Sequence, residues 1–182
     1  FASPHWLDPL ITSVLLGLAV AIACALASLL VARVVSQLRR RGLTMLLFLS
    51  PLFIPGILVG VAIFIYFRVI LGLHMGAWSI FVAHFTWAYP FSLLALLINT
   101  LRFDGRLLEA GADLGASPWR RFIDIELPLI RPGIVASALF GFLLSFNELP
   151  RSLLLKGSIV TLPLFEWAQA SAHKSNVPVI FS

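Results

Sequence analysis

Residues 9–32, PLITSVLLGLAVAIACALASLLVA, are 24 consecutive positions without a charged side chain, closed by Asp8 on one side and Arg33 on the other. Roughly 20 predominantly apolar residues wound as an α-helix cross about 30 Å of hydrocarbon, so this stretch predicts a membrane span. Working outward, a second charge-free interval runs from Gly42 to Phe67 between Arg41 and Arg68, and a third from Val69 to Leu101. The third is too long for one span. Its opening, Leu71-Gly-Leu-His-Met-Gly76, reads as a turn, which leaves a helix from Ala77 onward. A fourth apolar stretch lies between Arg131 and Glu148. The expected fold class is all-α, a single polytopic membrane domain over residues 1–182. Its spans fall at about 9–35, 43–67, 77–101 and 129–149, with a loop at 102–131 on one side and a segment at 150–176 on the other.

Composition supports this. Formal charges number 13 Lys+Arg and 8 Asp+Glu, or 12% of 182 residues, where soluble domains carry about 25%. The apolar fraction is 60% and the mean hydropathy +1.00. A water-soluble enzyme, a disordered tail and a nucleic-acid module are excluded together. The net charge of +5 and the pI near 10.4 have a topological explanation instead. Arg33, Arg39, Arg40 and Arg41 flank the first connection, and Arg102, Arg106, Arg120, Arg121 and Arg131 populate the third, leaving Arg68, Arg151, Lys156 and Lys174 for the opposite side. Cytoplasmic loops collect Lys and Arg, so both basic connections are expected in the cytoplasm, with Phe1 and the 71–76 turn outside. A further span is expected upstream of Phe1, and the apolar stretch from Pro178 reads as the start of a final helix, making these residues the middle four spans of a larger subunit. The lone Cys24 reads as a small packing residue.

The spans are not uniform. Pro51, Pro55, Gly56 and Gly60 sit in the second and Pro90 in the third; proline removes a backbone donor, and lipid tolerates the loss only where neighbours re-satisfy the freed carbonyl. In the fourth, Gly133, Ser137, Gly141 and Ser145 recur every four residues, a stripe of small side chains that serves either close helix packing or a solute path.

The 102–131 loop holds five acidic and five basic residues. Phe103, Leu107, Leu108, Ala110, Leu114 and Trp119 return at roughly helical spacing, with Asp104 as an expected N-cap and Gly115 with Ser117-Pro118 as a break before a second short helix. An amphipathic helix on the bilayer surface is one reading of this pattern; a docking element for a soluble partner is the other. Glu109-Ala110-Gly111, three residues, Gly115, nine residues, Ile125, one residue and Leu127-Pro128 resemble the EAA-type cytoplasmic motif of the permease subunits of bacterial ABC importers, ordered Glu-Ala-Ala, x3, Gly, x9, Ile-x-Leu-Pro. Gly111 stands where the motif has its second Ala, a change of roughly 1 kcal/mol in helix propensity. The stretch from Leu101 to Glu148 is most similar to the second permease of the spermidine/putrescine-type branch, and the resemblance extends from about Ser13 to Pro163.

The resemblance implies the type I ABC importer permease fold, with a coupling helix seated in a groove of an ATP-binding subunit. It assigns Glu109, Ala110, Gly111, Asp113, Gly115, Leu127 and Pro128 to ATPase coupling. Glu109 would be a polar contact, Gly115 would permit a sharp turn, and Leu127-Pro128 would redirect the chain into the fourth span. Implied partners are a pair of ATP-binding subunits, a second permease subunit forming a heterodimer, a periplasmic solute-binding protein and the lipid of the bacterial inner membrane, with no nucleic acid. These residues contain no G-x4-G-K-[ST] loop, since Lys156-Gly-Ser158 has the wrong order. No cofactor and no enzymatic activity are therefore expected here; ATP and Mg belong to the partner ATPase subunits.

Polar groups within spans are the default pathway candidates: His84, Trp87 and Tyr89 in the third, Asn147 and Glu148 at the outer end of the fourth. Glu148 is the foremost of these, as a carboxylate at an outer mouth attracting a cationic solute or as a surface acid paired with Arg151. His84 reads equally as a neutral imidazole bonded to a neighbouring helix. The expected cargo is polyamine-like. Alternatives are the same machine carrying iron(III), thiamine, an aminophosphonate or another small solute, and, from another class, an ion-coupled secondary transporter, which usually buries ionisable groups near the midplane.

Overall fold

The computed structural model describes residues 6–38 and 41–171; Phe1, Arg39, Arg40, Lys174 and the stretch from Pro178, on which parts of the topology reading rest, lie outside the described residues. The chain order is α1 (Leu7–Gln37), α2 (Arg41–Leu49), α3 (Gly56–Phe64), α4 (Ala77–Thr100), α5 (Arg106–Asp113), α6 (Pro118–Arg121), α7 (Leu127–Phe146), α8 (Pro150–Leu155) and α9 (Leu162–Ser171). Three runs are long and apolar enough to cross a membrane, Leu7–Val35, Ala77–Thr100 and Pro118–Phe146, or four if the bent pair α2 and α3 counts as one.

Helices α1, α4 and α7 pack on one another and form the core. Lipid is as apolar as leucine, so helix association in a membrane rests on close packing of small residues rather than on hydrophobic burial. The distribution of side chains follows that rule. Along α1 the exposed stripe is Ile11, Leu15, Leu18, Ile22, Leu26 and Leu30, while Ser13, Cys24, Ser28 and Ala32 are buried. On α7 the stripe Gly133, Ser137, Gly141 and Ser145 is buried too. A Cβ on Gly141 would lie 3.0 Å from Ala21 Cα and 3.1 Å from Cys24 Cβ, and one on Gly133 would lie 2.9 Å from Asn99 Cβ. Of the two readings open for this stripe, the contacts select helix packing. Contacts of Gly133 with Asn99 and Ser145 with His84 show that α7 runs antiparallel to α4, and those of Gly141 with Ala21 and Glu126 with Arg33 that it runs antiparallel to α1.

Two differences from the sequence expectation have proline as their cause. The 43–67 interval, expected as one span, folds as two helical pieces meeting at 88°. Ile54, preceding Pro55, is extended (φ −96°, ψ 127°), as steric conflict with the proline ring requires, and α3 restarts with Pro55 as its N-cap. Conversely, Leu127-Pro128 does not redirect the chain: the helix begins at Pro118 and continues through it to Phe146. A π-turn over Phe122–Glu126, in which Leu127 N–H donates to Phe122 O, precedes the proline, and such a widened turn accommodates a position with no i→i−4 donor. The 71–76 turn is present, with Gly72 at φ 66°.

Candidate functional site

The structure gathers chemistry at the two ends of the bundle. At the basic end, α5 and α6 form an elbow. Asp104 Oδ1 accepts from Arg106 N–H at 3.0 Å, so Asp104 caps the helix from one position before Gly105, the residue at the N-cap itself. At the other end of α5, Ala116 N–H donates to Gly111 O (2.9 Å) and Gly115 N–H to Ala112 O (2.8 Å). These bonds define a Schellman motif with the left-handed residue at C′, and Gly115 has φ 79°. Ser117 then caps α6, its Oγ accepting from Arg120 N–H at 3.4 Å, and Pro118 occupies the first turn.

The elbow is tied to the bundle. Arg121 Nη1 donates to Leu108 O at 3.2 Å. Arg33, near the end of α1, pairs with Glu126 at 2.9 Å and lies over the Phe122 ring at 4.3 Å. Arg33, Leu108, Pro118, Arg121, Phe122 and Glu126 line a cleft of about 190 Å³ beneath the elbow. Sequence reasoning missed this clamp because its members are 93 residues apart. Gly111 packs closely on the following elements: a Cβ there would lie 2.8 Å from Ile125 Cδ1, a side-chain tip able to move aside, and 3.3 Å from Arg121 Cγ. Of the motif residues, Glu109, Ala110, Asp113 and Gly115 are exposed, Gly111 is buried, Leu127 is half-buried and Pro128 is exposed. Leu114 and Trp119, read from their helical spacing as apolar groups returning with Leu108, are instead 89% and 69% exposed at the elbow tip: Leu114, six residues on, lies about 120° around the helix from Leu108, and Trp119 follows the break at Gly115.

Gly115 allows a direct test. Among the described residues no atom lies within 4 Å of a Cβ built there, so substitution acts through backbone conformation, at roughly 1–2 kcal/mol for an ordinary L-residue. Gly115→Ala and Gly115→Leu are expected to lower elbow stability alike, while Gly115→Asn is better tolerated. Amide hydrogen exchange over 106–121 reads this; a Leu variant much worse than Ala would show that a neighbour, not φ, sets the requirement.

At the other end, His84, Trp87 and Glu148 come together, joined by Arg151, which sequence spacing pairs with Glu148, and by Ser145 and Ser152, which it does not connect to His84. His84 Nδ1 lies 2.9 Å from Ser145 Oγ and Nε2 2.8 Å from Ser152 Oγ. Ser152 Oγ donates to Glu148 O at 2.8 Å, so its hydroxyl proton is committed. The bond pattern therefore assigns the proton to Nε2, with Nδ1 accepting from Ser145. Glu148 Oε2 pairs with Arg151 Nη1 at 2.7 Å, Glu148 Oε1 accepts from Arg151 N–H at 3.1 Å, and the Arg151 guanidinium stacks on Trp87 at 4.2 Å. Glu148 and Arg151 are 5% and 3% exposed. Glu148 is thus paired with Arg151 as one reading held, but inside the protein rather than at an open mouth. Tyr89 and Asn147 stand apart: Tyr89 packs with Phe85 and Phe48, and the exposed Asn147 donates to Leu143 O of its own helix.

A membrane-crossing helical bundle, with an elbow carrying the EAA spacing at its basic end and a buried polar cluster near the other, defines a multi-pass membrane protein. Its homologues are polyamine transport permeases. The spermidine/putrescine transport system permease protein PotC of Escherichia coli strain K12 is 34% identical over 112 residues, covering 62% of this chain and 40% of the relative. That of Haemophilus influenzae is 35% identical over 111 residues, covering 60% and 43%. The putrescine transport system permease protein PotI of Escherichia coli strain K12 is 27% identical over 172 residues, covering 86% and 60%. The chain thus spans less than half the length of the first two relatives. No protein-family model matches.

Proposed function

We propose that this chain is part of the permease subunit of an ATP-driven importer of a small polyamine-like solute in a bacterial inner membrane. It works with a second permease, two ATP-binding subunits that hold ATP and Mg, and a periplasmic binding protein. The observation that carries the coupling role is the elbow: Glu109, Ala110, Asp113, Leu114 and Trp119 project from a helix pair braced by Gly111, Arg121 and the Arg33–Glu126 pair. Closure of the ATP-binding subunits would push on the elbow tip. The unbroken helix from Pro118 to Phe146 would then carry the push along α7 to the His84 and Glu148 cluster, with Arg33 pulling α1 along. Polyamine cargo is supported by the transport functions of the relatives and by the carboxylate and indole at the far end. In this reading the basic end faces the cytoplasm.

The test is reconstitution of the complete transporter in proteoliposomes. ATP-dependent accumulation of labelled putrescine that requires the binding protein is expected; accumulation driven by an ion gradient without ATP would instead make the protein a secondary transporter. In spheroplasts, an impermeant thiol reagent is expected to label His74→Cys and not Glu109→Cys. The opposite pattern would invert the orientation.

A further inference from the structure

The Arg151 side chain lies where a ligand would be expected. Its guanidinium has the Trp87 ring on one side at 4.2 Å and the Glu148 carboxylate at 2.7 Å. On α3, Gly56 and Gly60 face it, and a Cβ added at Gly56 would coincide with the guanidinium. A carboxylate beside an aromatic face is the chemistry that holds an organic ammonium ion. Among the described residues the buried carboxylates are Glu126 and Glu148, and Glu126 is at the basic end; Glu148 is therefore the buried anion available to a cation at this end of the bundle.

The arrangement fits its present occupant incompletely. Among the described residues Arg151 Nε is buried with no hydrogen-bond partner, although a buried donor left unmade carries a desolvation penalty. A guanidinium in a pocket built around it would be expected to satisfy Nε as well as Nη1. A primary ammonium would place its donors on Glu148 and its methylenes on Trp87 without that orphan. Exchange of one cation for the other would also keep Glu148 compensated throughout, so no bare buried charge arises.

We propose that the Glu148 carboxylate and the Trp87 ring form an alkylammonium subsite that, in this conformation, is filled by the chain's own Arg151 guanidinium, which withdraws when solute enters. The proposal deepens the polyamine reading and rests on it for the identity of the cation. Arg151 sits on α8, a helix of six residues whose contacts are with α3 and α4. Ser152 bonded to His84 and the buried Leu155 packed on Ile80 and Ala83 hold that helix on α4, so the withdrawal is a swing of the Arg151 side chain and not a shift of α8. Arg151 then acts as an internal competitor that keeps the subsite closed to free amines.

The experiment measures binding of labelled putrescine to the complete detergent-purified transporter without the binding protein. Removing an internal competitor raises apparent affinity by the inverse of the fraction of time the site is open, so Arg151→Gln is expected to bind putrescine about tenfold or more tightly than wild type. The double variant Glu148→Gln/Arg151→Gln is expected to lose that gain. If Arg151→Gln fails to assemble, 10- to 100-fold excess putrescine over its wild-type apparent Kd (roughly the range that saturates a site) is expected to restore assembly where sodium chloride of equal ionic strength does not. Assembled Arg151→Gln that binds no tighter than wild type, or an unassembled variant that putrescine does not rescue, overturns the proposal. Tight binding by Arg151→Gln together with a wild type that never transports polyamines would reject the polyamine reading and leave the subsite standing.

Discussion

Gly141→Leu is expected to prevent formation of a stable bundle. A Cβ at position 141 would already stand 3.0 Å from the Ala21 backbone, and backbone cannot rotate aside as a side-chain tip can. Adding an isobutyl group there forces α7 away from α1 over the length of their contact. Overpacking a core costs typically about 1–3 kcal/mol; with helix backbone as the obstacle the upper end of that range or more applies. The thermal transition of the purified protein in detergent measures it, with Leu139→Ala as control, since Leu139 is 55% exposed. A Gly141→Leu protein melting with the wild type would mean that the α1 and α7 interface is not the close contact described here.

Glu148→Ala is expected to be comparably damaging, for an electrostatic reason. It strands the 3% exposed Arg151 guanidinium with only the Trp87 ring for compensation, and removing one partner of a buried pair costs about 3–5 kcal/mol. Replacing both partners by apolar residues of similar size is often neutral, so Glu148→Leu/Arg151→Met should recover most of the loss. The cycle is read by the same thermal transition. Wild-type stability of Glu148→Ala would show that the pair is solvated and contributes little, as surface pairs do.

The clearest lessons come from residues whose sequence reading was right in kind and incomplete in place. Gly133, Ser137, Gly141 and Ser145 were legible as a face, because a period of four is a property of one helix. Which neighbour covers that face is a property of three helices, and only the packed bundle answers it. Glu148 and Arg151 were legible as a pair from their spacing of three, but burial depends on α3 and α4 closing over them. The helical spacing that links Leu114 and Trp119 stops at Gly115, whose φ of 79° ends α5 between them. His84 was legible as a polar residue in a span; Ser145 and Ser152, which satisfy its two nitrogens, are 61 and 68 residues away.

By itself the sequence determined that the protein is helical and membrane-spanning. Charge-free length against bilayer thickness is a one-dimensional test, and lipid admits few structures other than helices that satisfy every backbone group internally. It also determined the elbow, since caps, a left-handed glycine and proline act on adjacent residues and the EAA spacing is read along the chain. Only the tertiary structure decided that the second apolar interval breaks at 88°, that the fourth span starts ten residues before Pro128, and that Arg33 clamps Glu126. The same holds for Arg151 resting between Trp87 and Glu148. Pro55 marks where the second interval breaks, but the angle of the break goes with the packing of α3 on α8, and the Arg33 and Arg151 contacts join side chains from distant segments, which meet only when the helices have packed.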